Sequence, residues 1–416
     1  MLILLAVVVV VSSFATTSAS ALSGPKPTAS SNKDSLKVVG NHVVTGDNKT
    51  YVPYGISVYG GLEQKNYGAT KSNQDAQIKA AAIYWHANTI RLQVAESNLL
   101  TSHESGGAYN LKFLRSLEDE VSYAHSLGLA VVINDQTEFT SNSPAPTTKT
   151  LNFWKIIARQ FKGDGYVIFD LFNEPRLQVT NSGLQNNYNK ATPDKLFSLF
   201  GSVGTNQNSN LAVKNKSKNN TNADWSVWRN GGTVNHVHYL GMESLVKQIK
   251  STGADNLIWV EGINQARQLP PNQYLLSDDN VVYSIHHPNL NRPSTWERIG
   301  ALSQTRPVVE GEWAQYASNW AECYSDAYHT APLYLNYLHR YHIGIIAWSL
   351  QPGSLLQDTN ALRPTNLGKT FAPTQAADLS TPNKLMPGYK CRYGSGEGVG
   401  QLLQTYFTKN STSYSF

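Results

Sequence analysis

Two glutamates in this chain stand where a side chain can do chemistry. Glu174 follows the apolar run Tyr166 to Phe172 in YVIFDLFNEPR, with Asn173 before it and Pro175 after it. Glu312 ends a second run, RPVVEGE, and is followed by Trp313. Carboxylates on two separate strands can divide the roles of proton donor and nucleophile. Cleavage of a glycosidic bond with retention needs such a pair about 5–5.5 Å apart. One must be protonated at working pH and the other ionised. Other apolar runs end on groups that suit the same chemistry. Arg91 lies in NTIRLQV, and an arginine beside a nucleophile holds it charged. Asn134, Asp135 and Gln136 close LAVVIN, His286 and His287 close VVYSI, and Trp348 lies in IGIIAWS. Asn173 is placed to hydrogen-bond a sugar 2-OH, a contact that strengthens in the transition state.

The elements that would mount these residues recur along the chain. Runs of strand length are VPYGISV (Val52 to Val58), NTIRLQV (Asn88 to Val94), LAVVIN (Leu129 to Asn134), YVIFDLF (Tyr166 to Phe172), NLIWVEG (Asn256 to Gly262), VVYSIH (Val281 to His286), RPVVEGE (Arg306 to Glu312) and IGIIAWS (Ile343 to Ser349). Their hydrophobicity is continuous rather than alternating, as in parallel strands buried on both faces. Helical patterns lie between them, for example Leu111 to Leu127 with Gly128 as a stop, and Gly241 to Ser251 ending at Gly253. Eight strand–helix units predict a single (β/α)8 barrel, with active groups at the C-terminal ends of its strands. An open doubly wound sheet would want GxGxxG after the first strand, and the chain has none. The repeat is interrupted between the fourth and fifth strands by a polar, Asn-rich insertion, about Leu177 to Val234, read as an extended loop on the top face. After Ser349 an irregular extension rich in Pro, Gly, Thr and Asn leads to a closing helix, GQLLQTYF. The domain is expected over residues 36–416.

Composition narrows the class. A net charge of +5 over 416 residues, without a dense Lys/Arg block, argues against nucleic acid as a partner. Most of the nine Trp and 22 Tyr are expected to fill the core, and a surplus beside a cleft would stack on sugar faces. The N-terminus reads MLILLAVVVVVSSFATTSASA, an apolar run too short to span a bilayer followed by an A-x-A cleavage pattern. Residues 1–21 are therefore expected to be a signal peptide and 22–35 a linker or mobile arm, which makes the protein secreted. Cys323 and Cys391 are the only cysteines and form a candidate disulfide in an exported chain, with two free buried thiols as the other reading. His236 and His238 have the look of a metal pair, but no acid or cysteine stands near them in sequence, and neither metal nor cofactor is expected.

The set Arg91, Asn173-Glu174-Pro175, His286, Gly311-Glu312 and Trp348 resembles the glycoside hydrolases of clan A, and family 5, the cellulase-like family, in particular. The resemblance spans about Tyr51 to Ser349. It implies a (β/α)8 barrel and a retaining mechanism, with Glu174 as acid/base and Glu312 as nucleophile. Arg91 and Asn173 would support them, His286 would sit near both, and Trp348 would form the floor under the reacting sugar. The chain departs from the family in having Gln136 where a histidine is usual, His286-His287-Pro288 where His-x-Tyr is common, and Trp313 where a phenylalanine is common. Gln136 and Trp313 are expected among the substrate contacts. Trp225, Trp228, Trp259 and Trp320 are either further subsite aromatics or packing. Glu310 is expected on the face of Glu312, deeper in the barrel or in an ion pair, and Glu261 lines the cleft or serves structure. A monomer acting on a β-1,4-glucan is expected. A β-mannanase, an exo-acting β-glucosidase, or a carbohydrate-binding barrel without catalysis are the alternatives.

Overall fold

A run of apolar residues long enough for one strand, with no polar face, must be covered on both sides, and a closed barrel wrapped by helices does this. A computed structural model of the chain describes residues 35–58, 71–100, 109–137, 143–177, 221–234, 236–286, 293–313, 327–350, 355–356, 364 and 399–412. Its elements begin with β1 (Lys37–Val39), β2 (His42–Val44), β3 (Tyr54–Val58), α1 (Lys71–Ile83), β4 (Thr89–Val94), α2 (Glu96–Leu99) and α3 (Leu111–Ser126). They continue with β5 (Ala130–Asp135), α4 (Thr148–Phe161), β6 (Val167–Asp170), α5 (Thr221–Asn230), β7 (Gly232–Val234), β8 (Val237–Tyr239) and α6 (Met242–Ser251). The chain then forms β9 (Ile258–Glu261), β10 (Val281–His286), α7 (Pro293–Ser303), β11 (Val308–Trp313), α8 (Ala327–Arg340), β12 (Gly344–Ala347) and α9 (Gly400–Asn410).

Strands β3, β4, β5, β6, β9, β10, β11 and β12 close into one barrel in that order, and the eight expected runs supply them. Each neighbouring pair is parallel. Alternate residues face in and out. The outward set, including Ile90, Val131, Val167, Val260 and Ile345, packs beneath the helices. The inward set at the lower end comprises Ala130, Val132, Ile168, Trp259, Val282, Val309 and Ile346. The antiparallel hairpin β1–β2 closes this end, adding Leu36, Val43 and Tyr51 to the same cluster.

Local chemistry sets the helix ends. Asn110 caps α3 by accepting from the Phe113 N–H at 3.1 Å, and Gly128, at φ +77°, stops it in a left-handed conformation. Thr147 and Thr150 form a capping box on α4. That helix buries Trp154, whose Nε1 donates to the Leu171 carbonyl at 2.8 Å and so fixes the segment leading to Glu174. The closing helix α9 is present as expected, with Tyr406 and Phe407 against Tyr54 at ring-centroid distances of 5.7 and 5.9 Å.

The insertion after β6 corrects one expectation. Its end is helix α5, not loop, because Trp225 and Trp228 are three residues apart and share one buried face. Their rings meet edge-on at 5.2 Å. The stretches expected to be signal peptide and, apart from Ser35, linker, together with most of the insertion, His287, Trp320 and both cysteines, lie outside the described residues. Among the described residues no helix is long and apolar enough to cross a membrane.

Candidate active site

Two residues above the apolar floor, on the same inward face, the strands turn polar. Val132, Ile168, Trp259 and Val282 are followed at that spacing by Asn134, Asp170, Glu261 and Ser284, all fully buried. Arg91 on β4 is also fully buried, and its long side chain reaches this polar layer. Its guanidinium is the hub. Nε donates to Asp170 Oδ2 at 2.9 Å, Nη2 to Asn173 Oδ1 at 2.8 Å and to Glu261 Oε1 at 3.0 Å, and Nη1 to Glu312 Oε1. Burial alone would lower the pKa of Arg91, but Glu312, Asp170 and Glu261 together raise it above its ordinary value.

Glu174 lies just past the end of β6 with φ at +46°, a left-handed conformation rare for a residue with a side chain. Its N–H donates to Glu261 Oε2 at 2.5 Å. Its Oε1 is 3.1 Å from His286 Nδ1, while Nε2 of that ring is 3.2 Å from Glu261 Oε1. Nδ1 is also 3.9 Å from Glu312 Oε2. Burial opposes a charge on His286, but Glu261, Glu312 and the contact with Glu174 raise its pKa well above 6.5. Burial pushes the Glu261 carboxyl up to about 7 against the lowering effects of His286 and Arg91.

Glu312 reaches the mouth through an irregularity in β11. Ile285 pairs with Glu310 but His286 with Glu312, so one extra residue, Gly311, is inserted as a bulge. A Cβ on Gly311 would stand 2.1 Å from Ser284 Oγ and 3.0 Å from His286 Nε2, so only glycine fits. The bulge inverts the alternation beyond it, so Glu312 faces inward while Glu310 keeps the outward place that follows inward Val309. Glu310 there accepts from Tyr334 Oη on α8 at 2.5 Å, instead of sharing the face of Glu312. Trp313 also turns outward, fully buried, with its ring 6.0 Å from that of Tyr334. Trp313 is thus packing between barrel and helix, not a substrate contact. Trp225, Trp228 and Trp259 are buried likewise. Trp348, half-buried one residue past β12 and on the side of Ile346, is the tryptophan that the strand alternation brings to the mouth. Gln136 is buried just past β5 and accepts from Gln93 Nε2 at 3.1 Å.

The structure therefore brings together Arg91, Asn173, Glu174, His286 and Glu312 as the sequence reading placed them. It adds Asp170 and Glu261. The signal for Asp170 was a charged residue inside an apolar strand, two positions after an inward isoleucine. One carboxylate oxygen each from Glu174 and Glu312 and one ring nitrogen of His286 lie within 4.8 Å of one another. Two carboxyl groups at that spacing can act as acid and nucleophile on one bond. His236 and His238 are exposed at the β7–β8 hairpin and contribute nothing to this group.

The family model described as cellulase (glycosyl hydrolase family 5) matches residues 54–354, most of the chain and nearly all of the barrel. The chain belongs to this family. It is a glycoside hydrolase, and the barrel is the family 5 fold. No curated protein sequence matches it. Solved structures do. The catalytic domain of a Thermobifida fusca endoglucanase is 14% identical, with a TM-score of 0.53 over 90% of this chain and 97% of that one. A β-glucanase from Saccharophagus degradans, solved in complex with cellotetraose, is 18% identical, with a TM-score of 0.52 over 81% of this chain and 91% of that one. At such identities the likeness to these two is one of fold.

Proposed function

We propose that this family 5 hydrolase is a secreted, monomeric retaining enzyme that cleaves β-1,4-glucan by double displacement. The observation that carries the reading is the approach of the Glu174 and Glu312 carboxyl groups, within 4.8 Å by their oxygens, with Arg91 on one and His286 on the other. In the first step a Glu312 oxygen attacks the anomeric carbon while Glu174 gives its proton to the departing glycosidic oxygen. The sugar is then held covalently on Glu312. In the second step water attacks the same carbon, Glu174 takes its proton, and the Glu312 carboxylate is released, so that one water is consumed and the β configuration is kept. Arg91 orients Glu312 and, through the 2.8 Å contact with its Oδ1, also Asn173, which is left facing the sugar 2-OH. Trp348 supplies the platform under the reacting ring, and Gln136 a polar contact to its hydroxyls.

The family and the β-glucan-active structural relatives support a glucan, and their cellotetraose complex supports the β-1,4 linkage. Export follows from the leader at residues 1–21 and the linker at 22–35. The test is reducing-sugar release from carboxymethyl cellulose, mixed-linkage glucan, xyloglucan, mannan, xylan and aryl β-glycosides, with Glu312→Ala beside the wild type and proton NMR of the first anomer formed. Release from the β-1,4-glucans with the β anomer first, abolished in the variant, is the expected result. Release from mannan alone moves the substrate, and an α anomer first overturns the mechanism.

A further inference from the structure

The reacting pair leaves two fully buried carboxylates at the same mouth without a part in the reaction, Asp170 and Glu261, and of these Glu261 touches the acid/base. Glu261 ends β9, is fully buried, and is held from outside by Trp228 Nε1, which donates to its carbonyl oxygen at 2.8 Å. We propose that Glu261 is the positioning residue of the acid/base, holding Glu174 at once by its backbone and, through His286, by its carboxyl group.

The geometry is a closed circuit. Oε2 of Glu261 accepts the Glu174 N–H at 2.5 Å. Oε1 stands 3.2 Å from His286 Nε2, and the opposite ring nitrogen stands 3.1 Å from Glu174 Oε1. A left-handed residue that carries a side chain persists only where its surroundings hold it, and Glu174, at φ +46°, is such a residue. A carboxylate at ion-pair distance favours a proton on the ring nitrogen it faces, which sets what the other nitrogen offers to its neighbour. Glu261 thereby fixes both where the Glu174 carboxyl points and how its proton is shared with His286. Its third contact, to Arg91, is replaceable, since Arg91 also binds Asp170, Asn173 and Glu312. Loss of Glu261 is therefore felt at the acid/base and not at the nucleophile. No sugar reaches a side chain this deeply buried, so its action is through Glu174.

This inference rests on the retaining reading above, and the experiment separates the two. A dinitrophenyl leaving group departs without protonation, so 2,4-dinitrophenyl 2-deoxy-2-fluoro-β-cellobioside labels the nucleophile with no help from the acid. Mass spectrometry of the labelled full-length wild type should place the sugar on Glu312, and the labelled fraction counts competent sites. In Glu261→Gln the labelling rate should stay within about threefold of wild type while kcat/KM on β-glucan falls about 100-fold, the scale of a misplaced general acid. Azide should restore turnover of dinitrophenyl β-cellobioside and yield the β-glycosyl azide. If both rates fall alike, or neither falls, Glu261 is structural and the proposal is wrong. If the wild type is not labelled on Glu312, the retaining reading fails first and takes the proposal with it. Should Glu261→Gln not fold, Glu261→Asp is read by the same two rates per labelled site, with the same selective loss expected.

Discussion

The lower and upper halves of the barrel interior are built by the same strands on the same face, two residues apart, and they do opposite things. Below, Val132, Ile168, Trp259, Val282, Val309 and Ile346 meet one another and the β1–β2 hairpin. Burial of this surface stabilises at about 25 cal/mol per Å² of apolar area. Above, Asp170, Glu261 and Glu312 crowd around one guanidinium, with His286 against two of them, and all are buried. Removing such charges from solvent costs free energy that their mutual contacts only partly return. The difference teaches where each property resides. The floor holds the strands together, and the strands hold the mouth in an arrangement it would not keep alone.

The largest effect should come from a change that touches the mouth and spares the floor. On the double displacement proposed above, Glu312→Ala should lower kcat on β-glucan by about four orders of magnitude or more, since nothing else can replace the nucleophile. Its melting temperature should move little, because Arg91 keeps Asp170, Asn173 and Glu261. A comparable loss of stability in calorimetry would break the division between the halves. Next comes Arg91→Met, which leaves Asp170, Glu261 and Glu312 without their shared cation. It should cost about 3–5 kcal/mol in urea unfolding, and activity with it.

The floor was legible in the sequence and the mouth only in part. Runs such as LAVVIN and IGIIAWS declare a strand covered on both faces, because a chain has no other way to bury them at that length. Glu174 and Glu312 could be located because they come as a pair at the ends of two runs, with Arg91, Asn173 and His286 at the ends of others; one such carboxylate alone reads more readily as a structural ion pair. What sequence could not supply was geometry that departs from alternation. The bulge at Gly311 turns Glu312 inward and Trp313 out, against their count from the inward Val309, and so parts Glu312 from Glu310, which keeps its outward place. The part played by Glu261 depends on contacts with residues far away in sequence, and Trp225 and Trp228 sat in a stretch whose polar neighbours hid a helix.

A change in the floor tests the other side of the comparison. Ile346→Ala removes a side chain whose Cδ1 fills the space a Cβ on Gly55 would need, 2.3 Å from that position. It should cost about 2–5 kcal/mol, read by urea unfolding, with kcat per folded molecule unchanged. A fall in kcat would mean that packing below is transmitted to the site. The mouth has a titration of its own. Glu261 is raised from 4.5 to about 7 by burial, so the folded chain binds its proton more tightly than the unfolded chain. Its contribution is complete below pH 4.5 and is lost as pH rises towards 7. His286, raised well above 6.5, loses its contribution only at higher pH. Between pH 4.5 and 6.5 stability should therefore fall in the wild type by up to about 3 kcal/mol, and less steeply in Glu261→Gln. Equal slopes would remove Glu261 from the titration.

The smallest expected effect is none. Glu174, His286 and Glu312 offer three ligand atoms within 4.8 Å, a set that could hold a divalent cation. The arrangement around them argues otherwise. Arg91 Nη1 already donates to Glu312 Oε1, and Glu174 Oε1 already faces His286 Nδ1, so a cation would displace both contacts and stand beside a guanidinium. It would also occupy the position between the carboxyl groups that the anomeric carbon needs. Dialysis against EDTA should therefore leave kcat and KM on β-glucan unchanged, and added zinc should inhibit rather than activate. Activity that falls with the chelator and returns with a metal would make the mouth a metal centre, and the carboxylate spacing would then need a different chemistry.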